Sequence, residues 1–186
     1  MAHPHVCPWW LGYFLASPLR RLAYDPDTIV APYVREGMTA LEPGPGMGFF
    51  TLELARRVGP SGRVIALDIQ PKMLGALKRR LAKAGLLERV DARLVSRDSL
   101  GLDDLAGSAD FTLAFAMVHE LPAPDRFFVE VAKASKPGAC LLLAEPTGHV
   151  KPRAFASELK LASQAGFDLV ERPTIRHSQT ALLRKM

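Results

Sequence analysis

Glu42-Pro43-Gly44-Pro45-Gly46-Met47-Gly48 follows a short apolar run at residues 38–41 and precedes a segment of helical character at residues 49–58. Glycine at alternate places lets the backbone turn tightly and come close to a ligand with no Cβ in the way. A loop between a strand and a helix lies outside the carboxyl end of that strand, where open α/β sheets bind ligands. A glycine-rich loop alone is a weak signal. It gains weight from Asp68, an acid that closes the next strand about 20 residues on, where an acid accepts ribose hydroxyls.

Outward from this loop, strand-like and helix-like segments alternate, which predicts an α/β fold with a mainly parallel sheet. Residues 63–67 form the second strand, closing on Asp68. Pro71 suits the first turn of a helix, which Leu74, Leu77, Leu81 and Ala84 continue with helical spacing up to a stop at Gly85. A third strand is expected at residues 92–95, near Asp98, and a fourth at 111–115, followed by Ala116-Met117-Val118-His119-Glu120. A helix at 125–135 leads through Lys136-Pro137-Gly138, read as a turn, to a fifth strand at 139–144. A helix at 154–165 precedes strands at 168–172 and 180–184, whose short connection suits an antiparallel pair at the sheet edge.

The loop's chemistry narrows the ligand. The dinucleotide fingerprint asks for a small residue where Phe49 stands, and no Gly-Lys-Ser/Thr follows to make a phosphate-binding P-loop. Glu42, at the loop's start, is poorly placed against a pyrophosphate but suits a ligand that carries an ammonium group. An amino-acid nucleoside with positive charge fits best.

Glu42-x-Gly44-x-Gly46-x-Gly48, then Asp68, then Asp98, resembles the first three cofactor motifs of the class I S-adenosylmethionine (SAM)-dependent methyltransferases. The resemblance covers residues 37–185. It implies a Rossmann-like, mostly parallel seven-stranded sheet in the order 3-2-1-4-5-7-6, its last strand antiparallel, with helices on both faces. It also implies SAM as methyl donor and S-adenosylhomocysteine as product. Carried onto this chain, Glu42, Gly44 and Pro45 border the methionine portion, and Gly46 allows close approach. Asp68 holds the ribose hydroxyls, Ile69 lies against the adenine, Asp98 faces the adenine amino group, and Ala116, Met117 and Val118 line the pocket. Asp98 lacks the glycine often found before that acid, so a plain turn aspartate competes with this reading.

At 186 residues the chain suits a single core, with residues 37–186 as the SAM-binding domain and residues 1–36 as an N-terminal helical extension. Residues 9–22 form an amphipathic helix broken by Pro18 and ended by Asp25-Pro26. Its aromatic Trp9, Trp10, Tyr13 and Phe14 suggest a lid over an acceptor pocket. A packing helix or a membrane-surface helix is the alternative. Charge follows the apolar run instead of preceding it, against a secretory signal, and no run approaches the length of a membrane span. Two cysteines, Cys7 and Cys140, make no disulfide framework, which points to a reduced, cytoplasmic protein. They also give no support to an arsenic-type methyltransferase, which uses several.

Methyl transfer from a sulfonium is an in-line displacement, so placing the nucleophile is the main task, with a base needed only if the acceptor carries a proton. His119 and Glu120 after the fourth strand, and Glu145 and His149 after the fifth, are the catalytic candidates. A metal held by His119 and His149 alone is weakly signalled, and none is expected. The expected partner is a small-molecule methyl acceptor. The net charge of +5 raises RNA or protein methylation as an alternative, but the fourth strand lacks the Asn/Asp-Pro-Pro-Tyr type of sequence that serves a flipped base. A non-catalytic SAM-binding module is the third reading. The sequence leaves the oligomeric state open.

Overall fold

The computed structural model describes residues 23–186. A seven-stranded sheet runs through them in the order β3-β2-β1-β4-β5-β7-β6, as the resemblance implies. The described residues fall into two compact units, 23–95 and 96–186.

The first unit opens with α1 (Pro26–Val30). Asp25 caps it, its carboxylate accepting from Asp27 N–H at 3.2 Å and from the Thr28 hydroxyl at 2.8 Å, with Pro26 at the first helical position. Asp25-Pro26 therefore starts a helix; the expected helix at 9–22 lies outside the described residues. Strands β1 (Thr39–Pro43), β2 (Arg63–Asp68) and β3 (Val90–Leu94) pair in parallel, so their carboxyl ends share one edge. Helix α2 (Thr51–Arg57) starts two residues later than expected, after a turn at 46–50. Helix α3 (Pro71–Lys83) packs on β2 and β3. Its buried Met73, Leu74, Leu77 and Leu81 recur at three- and four-residue spacing. Leu77 and Leu81 are fully covered, which is worth about 1.5–3 kcal/mol each. Gly85, in the left-handed region, ends the helix, with Leu86 N–H returning to Leu81 C=O at 2.9 Å.

In the second unit β4 (Ala109–Phe115) and β5 (Ser135–Pro146) are parallel, while β7 (Ser178–Lys185) runs antiparallel to both β5 and β6 (Phe167–Glu171). Helix α4 (Pro124–Ala134) packs on β5, and α5 (Pro152–Gln164) packs on α4 and β6. Phe111, Phe128, Leu141, Leu142 and Phe167 form its core. Lys136-Pro137-Gly138 is not a separate turn, because β5 begins at Ser135 immediately after α4. Ser135 pairs with Ala109, and a register shift between Ala109 and Phe111 accommodates the three exposed residues before regular pairing resumes at Cys140. Among the described residues no helix is long and apolar enough to cross a membrane.

Candidate active site

In the first unit the glycine loop is tied down at both ends. Gly44 N–H donates to Leu67 C=O at 2.8 Å, Gly48 N–H donates to Pro45 C=O at 2.9 Å, and the Arg80 guanidinium of α3 donates to the Met47 carbonyl. Two glycines play different parts. A Cβ on Gly48, at φ +84°, would come within 2.4 Å of Leu77 Cδ1, so this residue is needed for packing. A Cβ on Gly46, at φ +55°, would meet nothing within 4 Å, so the backbone there borders open space. Glu42 and Asp68 are buried at the ends of the neighbouring strands β1 and β2. Asp68 Oδ1 accepts from Gln70 N–H at 2.8 Å, which fixes the carboxylate as the chain enters α3. Ile69 between them is partly exposed and Pro45 is buried. Two buried carboxylates beside an open glycine backbone suit a cationic nucleoside with a ribose diol.

Asp98 belongs to the second unit and is exposed, in a turn where its own N–H and that of Ser99 donate to the Ser96 hydroxyl at 3.3 and 3.1 Å. Glu130 of α4 closes this turn, accepting from Leu100 N–H at 2.7 Å.

The end of β4 carries a more constrained arrangement. Ala116 sits at φ +56°, which costs a non-glycine residue about 1–2 kcal/mol, and its N–H donates to Ala144 C=O at 2.7 Å. Strain of this kind persists where the surroundings over-determine the backbone, often at functional sites. Past Met117 the chain enters a single 3-10 turn, Val118–Glu120. Because β4 and β5 are parallel neighbours, this turn meets the end of β5. Glu145, fully buried there, accepts from Val118 N–H at 2.8 Å through Oε1 and from His119 Nδ1–H through Oε2.

His119 retains 21% side-chain exposure, and its ring meets that of His149 edge to face at a centroid distance of 5.9 Å. His149 is exposed on a turn closed by its own N–H to Pro146 C=O at 3.0 Å. The hydrogen bond to Glu145 raises the His119 pKa above its ordinary 6.5; burial opposes this, and the charges of Glu145, Glu120 and Glu158 add to it. Glu120 thus acts on His119 through its charge. With Nδ1–H given to a carboxylate, Nε2 is the nitrogen left to exchange a proton. Three of the expected catalytic residues, His119, Glu145 and His149, are brought together.

Glu158 of α5 was not foreseen. It is 7% exposed, and its Oε2 is buried without a hydrogen-bond partner. Burial first, and then the Glu145 charge, push its pKa up to about 8, with His119 pulling the other way. A signal was available, since Phe155, Glu158 and Ala162 share the inward face of α5. Among the described residues no group of three or more His, Cys, Asp or Glu is arranged to hold a metal ion.

Comparison with known proteins places this geometry among relatives. A family model for a methyltransferase domain matches residues 40–138, more than half of the chain. The chain is 26% identical to an arsenite methyltransferase of Halobacterium salinarum, over 84% of this chain and 48% of that protein. It is 29% identical to the ubiquinone/menaquinone biosynthesis C-methyltransferase UbiE of Brucella abortus (strain S19), over 62% of this chain and 42% of that one. It thus spans about half, or less, of the length of these two curated relatives. Among solved structures, a SAM-dependent methyltransferase from Aquifex aeolicus superposes with a TM-score of 0.85 at 24% identity, covering 96% of this chain and 98% of the other. At that identity the likeness carries the fold.

Proposed function

We propose that this chain, which belongs to the methyltransferase-domain family, takes SAM as its methyl donor and methylates a small molecule whose acceptor atom gives up its proton to His119. The observation that carries this reading is the Glu145–His119 pair at the joined ends of β4 and β5. Glu145 holds the imidazole in one tautomer and balances the charge that a captured proton creates. A buried carboxylate oriented by a backbone N–H is the usual support for a histidine base.

In the first unit, Glu42, Gly44, Pro45 and Gly46 border the methionine portion of SAM in this reading, and Asp68 and Ile69 take the ribose and adenine. SAM supplies an electrophilic methyl carbon on a sulfonium, and charge is neutralised as it leaves, which a low-polarity site favours. His149 packs against the His119 ring and restricts its rotation, and Glu120 favours the protonated imidazole.

The relatives' names, arsenite and ubiquinone/menaquinone, support a small acceptor over RNA or protein. They do not favour arsenic here, since of the two cysteines Cys140 lies within β5, in register with Arg184. The test is transfer of labelled methyl from SAM to a panel of small hydroxyl, thiol and amine compounds. His119→Ala is expected to keep SAM affinity and lose about 100-fold or more in kcat. Wild-type turnover in that variant would refute the role given to His119, and a SAM complex that transfers to no compound would favour a binding module.

A further inference from the structure

Beside the His119–Glu145 pair stands a carboxyl with an oxygen left over. Glu158 Oε2 is buried and has no partner, although buried polar atoms are nearly always paired and each exception asks for an explanation. Glu145 does not supply one, because Val118 N–H and His119 already engage its two oxygens. No lysine or arginine pairs with Glu158 among the described residues. The titratable groups that face it are Glu145 from the end of β5 and His119 from the turn after β4.

The proton inventory of this cluster selects the kind of ligand that completes it. Burial keeps Glu158 protonated to about 8, and Glu145 favours the imidazolium form of His119. Both oxygens of Glu145 are already occupied, and Glu120 is the other carboxylate whose charge reaches His119. Once His119 has taken the acceptor's proton at Nε2, its Nε2–H and the Glu158 hydroxyl are both donors. Neither of these two groups then offers an ammonium ligand a negative charge, whereas an oxyanion finds two hydrogen-bond donors.

We propose that Glu158 and His119 together anchor the methyl acceptor as an oxyanion, so that the substrate is an acidic hydroxyl compound of the enol or phenol class. This rests on the reading of His119 as the acceptor's base. The acceptor O–H bond breaks and its proton passes to His119 Nε2. The oxygen, or the carbon conjugated with it, then attacks the methyl carbon. The carbon–sulfur bond breaks with its electron pair left on sulfur, so the sulfonium becomes a thioether. His119 finally releases one proton to solvent. Glu158 keeps its own proton throughout and holds the oxyanion in place.

The experiment saturates wild type, Glu158→Gln and Glu158→Leu with S-adenosylhomocysteine and measures binding of catechol and acetylacetone against glycine and sarcosine. Methyl transfer from SAM to the same four compounds follows. The oxygen acids are expected to bind and be methylated, and the amines not. Glu158→Gln, which keeps a donor, is expected to bind the oxygen acids more tightly than Glu158→Leu. Glu158→Leu should raise KM about tenfold, the scale of one lost hydrogen bond, with a smaller change in kcat and unchanged S-adenosylhomocysteine affinity. Binding of the amines instead, binding of neither oxygen acid, or wild-type KM in Glu158→Leu would overturn the proposal. Failure of wild type to bind S-adenosylhomocysteine would instead overturn the methyl-transfer reading beneath it.

Discussion

Replacing Glu158 with glutamine should stabilise the protein in alkali and do little in acid. The carboxyl loses its proton at about 8 in the folded chain, against an ordinary 4.5. Between those two values the folded state holds a proton that the unfolded state has released, so stability falls as pH rises; below them both states are protonated and no cost arises. At about 1.4 kcal/mol per pH unit the full interval gives an upper bound near ~5 kcal/mol. Local relaxation and water entry reduce such penalties, leaving about 2–3 kcal/mol above pH 8. Glutamine is neutral throughout and nearly the same shape, and His119 titrates in both proteins, so its share largely cancels. Urea denaturation at pH 5 and pH 8.5 reads the difference. Glu158→Gln should gain about 2–3 kcal/mol at pH 8.5, or roughly 4–12 °C in Tm, and less than about 1 kcal/mol at pH 5. Equal stability of the two proteins at pH 8.5, or a less stable variant, would refute the burial argument.

Two further perturbations separate packing from chemistry. Gly48→Ala should destabilise by about 2–3 kcal/mol in denaturant, since its Cβ meets Leu77, whereas Gly46→Ala should cost only the left-handed penalty of about 1–2 kcal/mol while weakening SAM binding; equal stability losses would contradict the different parts assigned to the two glycines. By NMR titration the His119 pKa should lie above 6.5 in wild type and fall in Glu145→Gln, and an unchanged value would show that Glu145 does not set it. The stabilising His119–Glu145 pairing is fully present below pH 6.5 and is lost as pH rises through the raised folded pKa.

How much of this was legible in the sequence depended on whether a residue's neighbours were near in the chain. Parallel strands buried on both faces read as apolar runs, so β1, β2 and β4 stood out around the glycine loop and Asp68. The start of β5 did not. Lys136-Pro137-Gly138 has turn composition, yet pairing with β4 from Ser135 onward overrides it. Asp25-Pro26 was read as a stop, although the same residue pair is a good helix start once Thr28 and Asp27 N–H supply donors to the Asp25 carboxylate. His119, Glu145 and His149 were picked out because they follow strand ends. Their mutual bonding arises from the parallel adjacency of β4 and β5, a long-range pairing that no local pattern encodes. Glu158 was missed because a glutamate on a helix reads as solvated, and only its spacing from Phe155 and Ala162 places it on the buried face.

The central claim, that this chain holds SAM through its glycine loop and Asp68, is tested most directly by calorimetric titration of SAM and S-adenosylhomocysteine into wild type and Asp68→Ala. Micromolar-range binding, about −8 kcal/mol, is expected for wild type, weakened by about 1–3 kcal/mol in the variant, the scale of lost charged hydrogen bonds. No binding of either compound by folded wild-type protein, or equal affinity in Asp68→Ala, would contradict it.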